Sequence, residues 1–146
     1  MRMNLPKWAL LLLCALALPV CADDSAPALA RLDWDAIREV ISRQLDAFRR
    51  DDEAEAFSYA SPGIRRLFGD ARSFMLMVRE GYAAVYRPRA VKFLEPAVID
   101  GKPIQAVQVI APDGRIVVAL YSMQRQPDGS WKIDGCQLAP SRSVST

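Results

Sequence analysis

At Arg87-Pro88-Arg89 the spacing of apolar residues changes, and the chain on either side must fold by different rules. Before that point apolar side chains recur at helical intervals; after it they alternate, as along a strand. Pro88 also stops any helix that reaches it, because the residue before a proline is pushed out of helical geometry. Helices first and closely spaced strands second make an α+β chain, with the helices laid on an antiparallel sheet.

The helical part carries its own punctuation. Asp33 opens a first helix whose face holds Trp34, Ile37, Ile41, Leu45 and Phe48, with Val40 beside them, while Arg38, Glu39, Arg43 and Asp46 face away. Arg49-Arg50-Asp51-Asp52-Glu53 breaks it and reads as a solvated turn plus a cap. Over Asp51–Tyr86 the spacing predicts two or three short helices. Asp52 with Glu55 has the form of a capping box, Ser61-Pro62 sets a cap before a proline at the first helical position, Gly69 ends that helix, and Asp70 or Ser73 begins the next. Helices this short are marginal alone, so their aromatics must bury against a common surface.

Four strands follow. Ala90–Ile99 is broken at Pro96; Ile104–Ala111, Arg115–Gln126 and Trp131–Leu138 are separated by Asp100-Gly101-Lys102-Pro103, Pro112-Asp113-Gly114 and Pro127-Asp128-Gly129-Ser130. Such tight turns make the strands antiparallel neighbours. In the third strand Ile116, Val118 and Leu120 point one way, and Val117, Ala119, Tyr121 and Met123 the other. A sheet with one wet face alternates apolar with polar, so this strand is expected to be covered twice: by the helices, and by a partner subunit, a ligand or a strongly curled sheet. A homodimer through the sheet face is the preferred reading.

The first segment stands apart from the fold. Arg2 and Lys7 precede the apolar run Trp8–Leu18, and Val20 and Ala22 have the spacing of a peptidase site. This is the form of a secretory signal over residues 1–22, and implies export to the periplasm or beyond. The run falls short of the roughly 20 apolar residues of a spanning helix, so no membrane span remains once it is removed. Cys21 offers a lipoprotein acylation point, but Val20 is bulkier than the small residue preferred before it, which favours simple cleavage. The assignment is a leader over 1–22, a lead-in over 23–32, a single domain over 33–139 and a loose tail over 140–146.

Removing the leader takes Arg2 and Lys7, so the 19 basic residues fall to 17 against 17 acidic ones. A neutral chain lacks the surplus of Lys and Arg on which nucleic-acid binding depends, and an anionic membrane surface is not favoured either. The chain has no histidine, and of its 3 cysteines only Cys136 lies beyond the leader. Zinc, copper and haem lose their usual ligands, a Ser-His-Asp or Cys-His device is excluded, and no metal or cofactor is implied. Cys136 is either a small buried apolar residue or an intermolecular or reactive thiol.

A broader likeness rests on Gln44-Leu45-Asp46-Ala47-Phe48, Ala60-Ser61-Pro62, Phe68-Gly69, Tyr82…Val85-Tyr86, Asp113-Gly114…Tyr121 and Asp128-Gly129-Ser130-Trp131-Lys132-Ile133…Gly135-Cys136. This set resembles the bacterial family catalogued as domain of unknown function 4864, over nearly all the chain after the leader. Helices followed by a curled antiparallel sheet also resemble the nuclear transport factor 2-like (cystatin-like cone) superfamily. The resemblance implies N-terminal helices packed on a curved antiparallel sheet of four or more strands, and brings no established activity. Superfamily enzymes such as ketosteroid isomerase, polyketide cyclases and scytalone dehydratase use Asp, Tyr or His within the cone. Their motifs do not match residues here, and no catalytic residue is assigned.

The candidates to line a cone are Phe57, Tyr59, Phe74, Val78, Tyr82 and Tyr86 from the helices, with Tyr121 or Trp131 from the sheet. The plainer reading of each is core filling. A buried phenol needs a hydrogen-bond partner, so tyrosines around a cavity suit a carbonyl or hydroxyl ligand. The expected function is non-catalytic binding of a small apolar ligand or a protein partner through the cone pocket or dimer face. One alternative is a cofactor-free isomerase, cyclase or dehydratase using Tyr59 or Tyr82 with Asp134 or Glu95; another is a structural dimerisation module. The arginines Arg65, Arg66, Arg79, Arg87 and Arg89 are dispersed enough to be ordinary surface.

Overall fold

The computed structural model describes residues 29–141. The leader, most of the lead-in and nearly all of the tail lie outside the described residues. Among the described residues five helices precede five strands: α1 Arg31–Arg49, α2 Glu53–Ser58, α3 Pro62–Phe68, α4 Ala71–Gly81, α5 Ala83–Tyr86, then β1 Ala90–Phe93, β2 Ala97–Ile99, β3 Lys102–Ile110, β4 Ile116–Arg125 and β5 Trp131–Pro140. The first helix thus begins two residues before Asp33, with Ala30 as its extended N-cap. Asp33 sits inside the first turn, where an acidic side chain complements the helix dipole.

The expected caps hold the short helices. Asp52 Oδ1 accepts from the Glu55 N–H at 3.0 Å, Ser61 Oγ from the Ile64 N–H at 3.3 Å, and Asp70 Oδ1 from the Ser73 N–H at 2.7 Å. The charge run after α1 is more than a solvated turn. Asp51, at φ 54°, accepts from the Tyr86 hydroxyl, from Arg79 at 3.1 Å and from Arg87 at 2.7 Å. Arg87 also donates to the Phe48 and Arg49 carbonyls, closing the C-terminal end of α1. Both guanidiniums lie over the Tyr86 ring, Arg87 at 4.6 Å and Arg79 at 5.5 Å from its centre.

Every pairing in the sheet is antiparallel, and the order is β1-β3-β4-β5, with β2 also on β3. The first expected strand is two strands on one edge, because Pro96 has no N–H to give the ladder. Gln105 repairs the break: its Nε2 donates to the Leu94 carbonyl at 2.7 Å and the Ala106 carbonyl at 2.9 Å. The two Pro-Asp-Gly hairpins are built alike. Gly114 and Gly129, at φ 88° and 85°, take the left-handed position that lets each hairpin close. A bulge between Ser122 and Met123 against β5 bends the ladder, and the sheet is curved and unclosed.

The buried face of α1, Ile37, Ile41, Leu45 and Phe48, packs with Val107, Val109, Ala119, Tyr121 and Met123 of the sheet in one core. Phe74 of α4 is the aromatic hub, with ring centres 5.4 Å from Phe57, 5.7 Å from Phe68 and 6.3 Å from Phe48. In β4 the two faces differ: Ala119, Tyr121 and Met123 are buried, Val118 and Leu120 are half-buried, and Ile116 is 49% exposed. The described residues therefore cover one face from Ala119 to Met123, with Val117 of that face half-buried, and the other face in part.

Candidate functional site

The link between α2 and α3 fixes the place where helices meet sheet edge. The Ser61 N–H donates to the Ile133 carbonyl at 2.8 Å, and the Ile133 N–H to the Tyr59 carbonyl at 2.9 Å, an added parallel rung on the outer edge of β5. Ser61, wholly buried, also donates its hydroxyl to Asp134 Oδ1 at 2.7 Å. α3 leaves from this rung with none of its residues buried: Ile64 and Phe68 are half-buried and Leu67 is 74% exposed.

Between α3, α4 and the adjoining end of the sheet lies a cleft of about 970 Å³. Ile64, Leu67 and Phe68 come from α3, Phe74, Met77 and Val78 from α4, and Tyr82 from the α4–α5 junction. The sheet supplies the β2–β3 turn from Ile99 to Ile104, Leu120 to Ser122 of β4, and Ile133 to Gln137 of β5. Alternate strand residues lie on opposite faces, so Leu120 and Ile104 come from the other face than Tyr121 and Cys136. The cleft therefore uses both faces at this end, next to the bulge. Leu67 and Ile99, 55% exposed, are apolar side chains open to solvent among its lining.

Four of the eight residues named from sequence line this cleft: Phe74, Val78, Tyr82 and Tyr121. The others are engaged elsewhere. Phe57 packs against Phe74 with the rings tilted, beneath Arg65. Tyr59 donates its hydroxyl to Glu55 at 3.0 Å, and Tyr86 donates to Asp51. Trp131 Nε1 donates to Asp33 at 3.4 Å, under the Arg125 guanidinium. Of the two acids considered as a base, Asp134 lines the cleft and Glu95 is exposed away from it. Spacing alone did not place Ile64, Leu67, Phe68, Met77, Ile99 or Leu120 at a cleft; their common signal is apolar character without full burial.

The titratable groups of the floor are held neutral. Burial, with the Cys136 thiol beside it, pushes the Tyr121 phenol well above its usual range. Burial likewise pushes the Cys136 thiol up to about 12, so it is protonated at neutral pH and a poor nucleophile. The floor of the cleft offers apolar surface and the neutral Tyr121 and Cys136, with Asp100, Lys102 and Asp134 also in the lining. Among the described residues no three His, Cys, Asp or Glu side chains gather around a metal position, and no helix is long and apolar enough to cross a membrane.

Set beside known proteins, residues 30–146 match the family described as "Domain of unknown function (DUF4864)". No curated protein and no solved structure matches the chain.

Proposed function

The chain belongs to the DUF4864 family of domains of unknown function, and from that premise we propose that it is a non-catalytic binding domain whose cleft takes a small apolar ligand. The observation that carries this is the cleft itself: about 970 Å³, lined by Ile64, Phe68, Met77, Val78 and Leu120, with Leu67 and Ile99 exposed beside them. Binding sites for small molecules run to about 300–1,000 Å³ and are mostly apolar with a few placed polar groups. A leader of secretory form makes the site of action extracytoplasmic, in the periplasm or outside the cell, and the cone likeness of the nuclear transport factor 2 kind fits a domain that encloses its ligand.

Neutral groups favour binding over chemistry. Tyr121 and Cys136 both keep their protons at neutral pH, and Asp134 already accepts from Ser61. Native mass spectrometry of protein purified from its own host tests the reading. A retained small molecule that leaves on denaturation supports it; apo protein that also fails to take up apolar probes overturns it. A homodimer through the sheet face is the second reading, favoured by the 49% exposure of Ile116 beside half-buried Val118. Sedimentation at micromolar concentration checks it: a monomer there rejects it.

A further inference from the structure

Gln105 and Tyr121 are cross-strand partners on β3 and β4, and Tyr121 is in turn the partner of Cys136 on β5. Three polar side chains thus form one row across the face that meets the helices. Protein interiors keep nearly all buried polar atoms hydrogen-bonded. This row departs from that rule twice: among the described residues Gln105 Oε1 and Tyr121 Oη find no hydrogen-bond partner, although the residues are 0% and 1% exposed. Gln105 has a structural reason to be there, since its Nε2 spans the break between β1 and β2. Tyr121 has none of that kind. A phenylalanine would fill the same volume without an orphaned hydroxyl, and Tyr121 lines the cleft.

Resting on the cleft reading, we infer that the ligand carries a neutral hydrogen-bond acceptor, a carbonyl or hydroxyl oxygen, at the tip of its apolar body, and that Tyr121 Oη donates to it. Among the described residues the polar neighbour that perturbs Tyr121 is the Cys136 thiol, and sulfur is a weak acceptor. Exchanging it for an oxygen is therefore favourable. The hydroxyl is shut off from solvent, so the entering tip must be narrow enough to part Tyr121 from Cys136. Neutrality of the tip follows from its surroundings. Asp100 and Asp134 already bring two carboxylates to the lining, and the one cation there among the described residues, Lys102, is exposed at the β2–β3 turn. A further carboxylate at the floor would meet repulsion and no compensating charge.

Three probes of nearly one shape test this by isothermal titration: 2-acetylnaphthalene, 2-isopropylnaphthalene and 2-naphthoate. The ketone is expected to bind wild type about ten-fold more tightly than the other two, the worth of one buried hydrogen bond. Tyr121→Phe should bring the ketone to within about two-fold of the hydrocarbon while leaving the hydrocarbon unchanged. Equal binding of ketone and hydrocarbon to wild type, or a gap that survives in Tyr121→Phe, overturns the inference and leaves the cleft reading standing. If none of the probes binds, the cleft reading falls and takes this inference with it. The wild-type comparison does not depend on the variant folding.

Discussion

Ser61 Oγ donates to Asp134 Oδ1 at 2.7 Å across 73 residues of chain, tying the cap of α3 to the strand that forms the other wall of the cleft. The same oxygen accepts from the Ile64 N–H, so one hydroxyl starts a helix and anchors it. Loss of a helix cap costs about 1 kcal/mol, and leaving a carboxylate without its donor adds a comparable amount. Ser61→Ala is expected to lower unfolding stability by about 2 kcal/mol, read as a lower denaturation midpoint at unchanged slope. Asp134→Asn keeps an acceptor for the same hydroxyl and should cost clearly less.

Asp51 gives a pH-dependent prediction. The Tyr86 hydroxyl first, then Arg79 and Arg87, hold its carboxyl below the usual range. A depressed folded value means that stability is present above the unfolded carboxyl range, near about pH 4, and is lost as pH falls through the lower folded value. Wild type should therefore exceed Asp51→Asn in thermal midpoint at pH 7, and the gap should shrink toward zero below about pH 3. Asparagine tolerates the left-handed backbone at this position, so the comparison isolates charge. A gap that stays constant down to pH 2 would refute the assignment. The group is exposed, so added salt should narrow the gap as well.

Leu67 separates binding from folding. It is 74% exposed, and an exposed substitution of this kind moves stability by no more than about 0.5 kcal/mol. Leu67→Lys is expected to leave the denaturation midpoint in place while weakening uptake of an apolar probe several-fold. A variant that binds as wild type does would remove Leu67 from the site.

Phe74 is the opposite case. It touches three other aromatic rings and is 6% exposed. Truncation of such a residue costs about 3–5 kcal/mol, against a total stability of about 5–15 kcal/mol for a domain. Phe74→Ala should lose a large share of that stability, read as a sharply lower thermal midpoint by circular dichroism, and Phe74→Leu should lower the midpoint less.

What the sequence disclosed follows the range of the forces involved. Asp52, Ser61 and Asp70 could be read as caps because each acts on a backbone N–H three residues away. The interruption at Pro96 was legible for a similar reason, since a missing N–H is a property of one residue. The clasp of Arg87 on Asp51 was not, because it joins residues 36 positions apart on exposed polar side chains that look like ordinary surface. Gln105 reads as one more polar strand position until Leu94 is seen across the break. The lining of the cleft was legible in the same uneven way. Phe74, Val78, Tyr82 and Tyr121 reach the cleft, whereas Tyr59 turns back to Glu55 of the helix it caps and Tyr86 to Asp51 in the α1–α2 turn. An aromatic stripe tells which residues seek cover but not which of two covers they find.

The two hydrogen bonds that Ile133 shares with Tyr59 and Ser61 make neighbouring walls of the cleft a single hinged piece. A helix fastened at its root to a strand cannot swing away without tearing that fastening, so the gap between them is set before anything arrives. The proposed ligand would then find the outer walls of its seat already laid out, and any rearrangement of the host would be confined to the floor at Tyr121 and Cys136.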